Sequence, residues 1–287
     1  MDKRKRLKQL IANDGMVVAP GAFDALTARI VQQVGFDVCY MGGNGTVASM
    51  LGVPDIGLAS SSEMVERARN INNAIDIPLI CDADTGYGNV NNVVRAVRDF
   101  EQAGVAGIHI EDQVTPKRCG AMEGLKLVSA EECAEKIRAA VDTRRDSDFL
   151  IIARTDARAV HGLSEAIRRV QMFEAAGADL VFAEMLESLD EIRSVVSSVG
   201  VPVLQDTLET SPDVVFSHEE LEAAGVKVSI HSMLPTLTHA NSMMTLMSRL
   251  RSEGTSKGLM EGMMDLHRYE EILGIKEQAE LQKTYGT

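Results

Sequence analysis

The stretch LICDADTGYG, residues 79–88, decides the fold. It opens with a short apolar run, places Asp82 and Asp84 two residues apart, then turns through Gly86 and Gly88. In a strand, positions i and i+2 share a face. Two carboxylates therefore leave the end of one buried strand pointing the same way. Side by side they resist joint ionisation. A hard divalent cation resolves that conflict, and Mg²⁺ favours a few carboxylates with waters and substrate oxygens. Two solvated loop aspartates, or two helix caps, would give the same short sequence. The remainder of the chain decides between them.

Working outward, similar apolar runs recur at 16–19, 36–41, 107–110, 149–153, 180–183, 201–204 and 226–230. With 79–82 they make eight candidate strands. Helical patterns fill the gaps at 22–34, 61–74, 90–103, 130–141, 163–176, 189–198, 218–224 and 237–251. Gly35, Gly104, Gly177 and Gly225 stop four of them, and Ser129 with Glu132 forms a capping box at the start of another. Strand–helix alternation over eight units predicts an α/β fold of the (β/α)8 TIM-barrel type. A doubly wound open sheet is the alternative. No Pro-, Gly- or Ser-rich linker divides the chain, so residues 1–287 read as one barrel domain. Residues 252–287 continue as a helical, Met-rich arm. It would cap the barrel floor or pack on a neighbouring subunit.

Chemistry in a parallel barrel sits at the C-terminal ends of the strands. Those ends read Tyr40-Met41-Gly42-Gly43, Asp82-Ala83-Asp84, His109-Ile110-Glu111-Asp112, Arg154-Thr155-Asp156, Glu184, Gln205-Asp206-Thr207 and His231. A single polar strand end is ordinary. A succession of ionisable ends after apolar interiors predicts one polar mouth. The carboxylates there need partners, which a metal, Arg154 and His109 would supply. The glycines at 42, 43 and 45 either expose backbone N–H groups to an anion or form a plain flexible turn. In the loop after the fourth strand, Cys119 follows Lys117-Arg118, which predicts a thiol more acidic than a free one. Gly120 and Gly124 would let that segment move as a gate. The cysteine is then a candidate acid or base, or incidental.

Bulk properties narrow the function. The chain has 287 residues, 45% hydrophobic content and a formal charge of −13. That balance disfavours nucleic acid and anionic membranes as partners. The small number of cysteines, without metal-finger or CxxC spacing, reads as a reduced cytoplasmic chain. The basic start, MDKRKRLKQLI, lacks a following apolar segment and reads as an amphipathic helix. No apolar run is long enough to span a membrane.

With these residues in hand, the chain resembles the isocitrate lyase/phosphoenolpyruvate mutase superfamily over its full length. The nearest likeness is to the short lyases acting on 2-methylisocitrate and 2,3-dimethylmalate. The resemblance rests on Tyr40-Met-Gly-Gly, Leu51-Gly-Val-Pro-Asp55, Asp82-Ala-Asp84, Gly107-Ile-His-Ile-Glu-Asp-Gln113, Lys117-Arg-Cys-Gly120 and Ala153-Arg-Thr-Asp156. It implies Mg²⁺, or Mn²⁺, held directly by Asp84 with Asp82, Asp55 and Glu111 nearby. It implies Tyr40, Gly42, Gly43, His109, Gly120, Arg154, Glu184 and Asp206 around a small carboxylate substrate. Cys119, Arg154, Glu111 and Tyr40 would carry the chemistry, with Cys119 protonating the enolate left after cleavage. It also implies a homotetramer of helix-swapped dimers.

Two departures bear on the substrate. The tricarboxylate lyases of the family have His where this chain has Ala121, and tend to have Asn where it has Asp206. Both losses point to a substrate with one carboxylate fewer. A 2,3-dimethylmalate-like compound, cleaved to pyruvate and propionate, fits that description. The alternatives are a 2-methylisocitrate lyase giving pyruvate and succinate, or an oxaloacetate hydrolase or decarboxylase. Phosphonopyruvate chemistry is disfavoured by Cys119. A barrel that only binds a metabolite is disfavoured by the joint presence of Asp84, Arg154 and Cys119.

Overall fold

A computed structural model describes residues 2–207 and 209–286. Met1, Leu208 and Thr287, which fall within the 1–287 domain expectation, lie outside the described residues. Eight strands run through it: β1 (Val17–Pro20), β2 (Cys39–Met41), β3 (Leu79–Asp82), β4 (Gly107–Glu111), β5 (Leu150–Thr155), β6 (Leu180–Ala183), β7 (Val203–Asp206) and β8 (Val228–His231). Every ladder is parallel, in the order β1-β8-β7-β6-β5-β4-β3-β2. Between β1 and β2 the circle closes through an isolated parallel bridge, Gly21 to Tyr40, with Ala22 N–H donating to Tyr40 O at 2.7 Å. This is the expected (β/α)8 barrel. The doubly wound alternative is excluded by that closure.

Alternation along the strands divides the core in two. In β3, Leu79 and Cys81 face the surrounding helices while Ile80 faces the barrel interior. Ile152, Phe182, Leu204 and Ile230 fill the same interior from their own strands. Asp82 follows Ile80 by two positions and so emerges above this apolar floor. Helix starts are set by caps. Asp24 accepts Thr27 N–H at 2.8 Å, so the helix expected at 22–34 begins later, as Ala25–Val34. Ser129 accepts Glu132 N–H at 3.0 Å and starts the helix Ala130–Thr143, but the expected capping box is only half made, since Glu132 turns toward Lys136 at 3.8 Å instead of returning the bond.

In two places the structure removes one of the alternatives the sequence left open. The glycines around 42–45 are not a flexible turn. Gly42 caps a helix, Gly43–Leu51, whose first turn lies against the barrel mouth. Small residues are what that close approach requires, because a Cβ on Gly43 would stand 2.5 Å from Asp82 Oδ2. The barrel floor is covered by the N-terminal helix Lys3–Ala12, not by the C-terminal arm. Leu7 is fully buried and joins Val17, Leu150 and Val228 in the interior cluster. Arg4 Nε donates to Val105 O at 3.1 Å, and Lys3 Nζ donates to Asn72 O and Ile75 O at 2.6 Å each. The long helix Leu234–Glu253 has no buried residue, and Leu237, Met244 and Met247 stand exposed on it. Beyond it, Arg29 Nη1 donates to Ile272 O at 2.9 Å and ties the arm to the side of the barrel.

Candidate active site

The strand ends form a polar mouth, with Arg154 at its centre. The β5 period aims its guanidinium into the barrel. Nε donates to Asp156 Oδ1 at 2.8 Å and lies 3.4 Å from Glu111 Oε2, while Nη1 lies 3.6 Å from Glu184 Oε2. The Phe182 ring lies beneath it, 5.1 Å from centroid to guanidinium carbon. Burial disfavours the cation, but Asp156, Glu184 and Glu111 together hold it charged.

Asp82 is an orienting carboxylate. Oδ2 accepts Gly43 N–H at 3.1 Å and Oδ1 accepts Asp84 N–H at 2.8 Å. Burial alone would raise its pKa. His109, Lys117, Arg154 and the Asp84 N–H outweigh that and hold it down to about 2. Asp84 sits at φ 48°, a left-handed backbone uncommon outside glycine and often found where function fixes a side chain. Its own carboxyl is pushed up to about 6 by burial, against Lys117 and with the help of Asp82 and Asp55.

Lys117 is a central residue of this site that sequence reasoning missed. It lies within the loop over the mouth and is almost fully buried, with Nζ 2.7 Å from Asp55 Oδ2 and 2.9 Å from Asp84 Oδ1. It lines both the central cavity and a neighbouring one that Asp84 faces. Only its place before Cys119 was visible in the sequence. That position suggests an effect on the thiol, whereas the ammonium is spent on carboxylates.

Tyr40 and His109 form a pair. Tyr40 OH and His109 Nε2 are 2.8 Å apart, and the rings stack at 18° with centroids 5.8 Å apart. Nδ1 faces Asp82 Oδ1 at 3.6 Å. At that distance the contact is electrostatic and not a hydrogen bond, and which of Tyr40 OH and His109 Nε2 donates depends on the imidazole tautomer. Burial pushes His109 down to about 4 and holds Tyr40 well above the usual phenol range, so both are neutral near pH 7.

Above this layer lies the loop with the cysteine. Cys119 N–H donates to Asp55 O at 2.9 Å, which brings the thiol to the cavity wall beside Gly120 and Ala121. A Cβ on Gly120 would strike Arg154 Nη2 and Glu184 Cγ, so glycine is required there. The expectation of an acidified thiol is overturned. Burial pushes the Cys119 pKa up and outweighs the Ala121 backbone hydrogen bond, Lys117 and Arg154, which pull it down.

Asp206, Ser232 and Met233 line the same cavity. Ser232 Oγ donates to Asp206 Oδ2 at 2.6 Å. Burial, then the neighbouring Glu184, hold the Asp206 carboxyl well above the usual range. Asp206 and Ala121 therefore both face the cavity.

Some of the polar strand ends turn elsewhere. Asp112 accepts from Thr155 Oγ1, from Asp156 N–H at 3.0 Å and from Arg169 Nη1 at 2.9 Å, on the helix side of the sheet. His231 pairs with Glu209 Oε1 at 2.8 Å and with His218 at 2.9 Å on the rim.

Hard oxygen donors suited to Mg²⁺ are present. Asp55 Oδ1 and both Glu111 oxygens are buried without a hydrogen bond, and Asp84 Oδ1 has only its ion pair with Lys117. Among the described residues, no three His, Cys, Asp or Glu side chains converge into a ready-made cage. One or two carboxylates completed by waters is the ordinary Mg²⁺ arrangement, and these residues fit it.

A closed parallel barrel with a carboxylate- and arginine-lined mouth at the strand ends has the layout of an enzyme active site. Residues 7–250 match the family model described as phosphoenolpyruvate phosphomutase, and the chain belongs to the phosphoenolpyruvate mutase/isocitrate lyase superfamily. Relatives within it that match nearly the whole chain include lyases, and the chain is with them a carbon–carbon lyase. It is 41% identical over 287 residues to 2,3-dimethylmalate lyase of Eubacterium barkeri, covering 100% of this chain and 99% of that one. It is 38% identical over 268 residues to 2-methylisocitrate lyase of Shewanella oneidensis, covering 92% and 91%. Among solved structures, oxaloacetate acetylhydrolase with 3,3-difluorooxalacetate superposes with a TM-score of 0.93 at 35% identity, covering 99% and 97%. Phosphonopyruvate hydrolase with oxalate and Mg²⁺ superposes at 0.89 and 29% identity, covering all of both chains. Among the described residues, no helix is long and apolar enough to cross a membrane.

Proposed function

We propose that the chain is a Mg²⁺-dependent lyase that cleaves a 2,3-dimethylmalate-like 2-hydroxy dicarboxylate to pyruvate and propionate. One observation carries the substrate reading. The only cations lining the described cavity are Lys117 and Arg154, and both are already paired with carboxylates. The wall where a third substrate carboxylate would lie offers Ala121, Asp206, Ser232 and Met233 instead. The likeness to 2,3-dimethylmalate lyase supports the same reading.

The residues divide the work. Asp84, with Asp55, Asp82 and Glu111 around it, would hold Mg²⁺, which supplies Lewis-acid polarisation of the 2-oxo acid half when bound. The helix start at Gly42 and Gly43, where Asp82 already takes the Gly43 N–H, would offer its remaining N–H groups to a carboxylate. In the tautomer with the His109 proton on Nδ1, toward Asp82, Tyr40 would take the proton of the 2-hydroxyl as its own phenolic proton passes to His109 Nε2. Arg154, held between Asp156, Glu111 and Glu184, steadies the charge at the bond that breaks. Cys119 then donates its proton to the carbon of the departing enolate. Its raised pKa suits that role, since an acid must hold its proton until it is needed. The family likeness and the unburied helix Leu234–Glu253 support a single domain at 1–287 whose arm, 252–287, follows a helix swapped within a homotetramer. A cytoplasmic setting fits the unpaired cysteines.

The test is 2-oxo acid release, coupled to NADH oxidation, on a panel of 2,3-dimethylmalate, citramalate, 2-methylisocitrate and oxaloacetate. The expected result is pyruvate from the substituted malates, abolished by EDTA and restored by Mg²⁺. Cys119→Ala should lower kcat by ~10²–10⁴-fold. Faster turnover of 2-methylisocitrate would overturn the substrate reading. Activity surviving in Cys119→Ala would remove the thiol from the mechanism.

A further inference from the structure

The segment carrying Cys119 leaves β4 and returns to the helix Ala130–Thr143 through a narrow neck. Val114 N–H donates to Lys126 O at 2.7 Å, Val128 N–H donates to Asp112 O at 2.9 Å, and Gln113 faces Leu127 across an isolated antiparallel bridge. From that neck the Gln113 side chain reaches in two directions. Toward the loop, Nε2 donates to Arg118 O at 2.8 Å and Oε1 accepts Arg118 N–H at 2.9 Å. Toward the barrel, Nε2 donates its second hydrogen to Asp156 Oδ2. A primary amide has two N–H donors and a two-lone-pair acceptor, and both donors are used here. The side chain is 1% exposed, so nothing from solvent substitutes for these partners.

The partners are what give this arrangement consequence. Arg118 directly precedes Cys119. Asp156 holds Arg154 Nε with its other oxygen, at 2.8 Å. One amide thus joins the backbone that carries the thiol to the carboxylate that aims the guanidinium. Gln113 does not itself line the cavity. We propose that Gln113 is a positioning residue that fixes the Cys119 loop in the pose described above, in register with Arg154 through Asp156. The inference rests on the reading above, in which Cys119 delivers a proton above an Arg154-bound substrate. A residue serving only the neck would duplicate the backbone bonds already there and would leave the thiol indifferent to its loss.

The test uses the full chain and two variants. Gln113→Met keeps length and removes all three bonds. Gln113→Glu keeps an acceptor for Arg118 N–H but turns the donor into an oxygen facing Asp156 and Arg118 O. The readout is the rate of Cys119 alkylation by iodoacetamide, with and without Mg²⁺ plus oxalate. Cys39, Cys81 and Cys133 are buried and serve as silent internal controls. Each variant should alkylate about tenfold faster than wild type or more, the size of one to two lost net hydrogen bonds. The added protection from Mg²⁺ plus oxalate should shrink, and kcat should fall with KM little changed. Unchanged alkylation in a variant that melts with the wild type would overturn the proposal. Should both variants fail to fold, hydrogen exchange on the unaltered protein decides. Arg118 and Cys119 amides exchanging slowly, as one unit, support it, and fast exchange at Arg118 overturns it. Alkylation needs no turnover, so this inference and the assignment of substrate fail separately.

Discussion

At the scale of the residue, the mouth is a set of buried carboxyls pulled in opposite directions. Asp82 is held down to about 2, whereas burial pushes Glu184 up from 4.5 to about 7, Arg154 opposing and Asp156 and Asp82 assisting. A carboxyl raised in the folded state stabilises the fold while it is protonated. That contribution is complete below the unfolded value and is lost as pH rises through the folded one. Glutamine does not titrate. In metal-free protein, Glu184→Gln should therefore gain on wild type as pH rises from about 4.5 to about 7. A melting-temperature difference moving by about 5 °C in the variant's favour is expected. Parallel pH profiles would place the titration on another group. Much at this scale was legible in advance. Asp82, Glu111 and Arg154 end apolar runs, and a period of two aims them inward. The same period explains the misreadings. Asp112 follows Glu111 directly and so faces the helices, where Arg169 meets it. Lys117 and Gln113 lie in a loop, where no period tells a buried side chain from a solvated one.

At the scale of the element, helix starts and stops were readable because caps are local chemistry. The helix Gly43–Leu51 was not, since glycine disfavours helix and only the neighbouring strand ends make a helix there worthwhile. The role of the helix Lys3–Ala12 was half readable. An amphipathic helix was read there, which implies a packed face but not where it packs, and Leu7 inserts between the floor ends of the strands. Leu7→Ala should lower unfolding free energy by ~2–5 kcal/mol in urea melts, the range for an aliphatic truncation in a close-packed core. A loss under ~1 kcal/mol would mean the floor closes without it. The arm after Leu234–Glu253 could be recognised as helical, but which surface it covers depends on contacts no local pattern encodes.

At the scale of the molecule, the barrel is bound unevenly. β4 and β5 share a five-residue register, and β1 and β8 share four, whereas β1 and β2 meet only at the Gly21–Tyr40 bridge. Gly21 has no room for a side chain, because a Cβ would stand 2.7 Å from His231 O and 3.0 Å from Ser232 O. Gly21→Ala should accelerate amide exchange near Ala22 and lower kcat, leaving β4 and β5 protected. Equal acceleration throughout would show the seam is no weaker than the rest. The tyrosine that pairs with His109 thus stands on the line along which the cylinder would first unroll. Catalytic competence should be lost in a partial opening that leaves most of the sheet intact, so inactivation on warming should run ahead of melting.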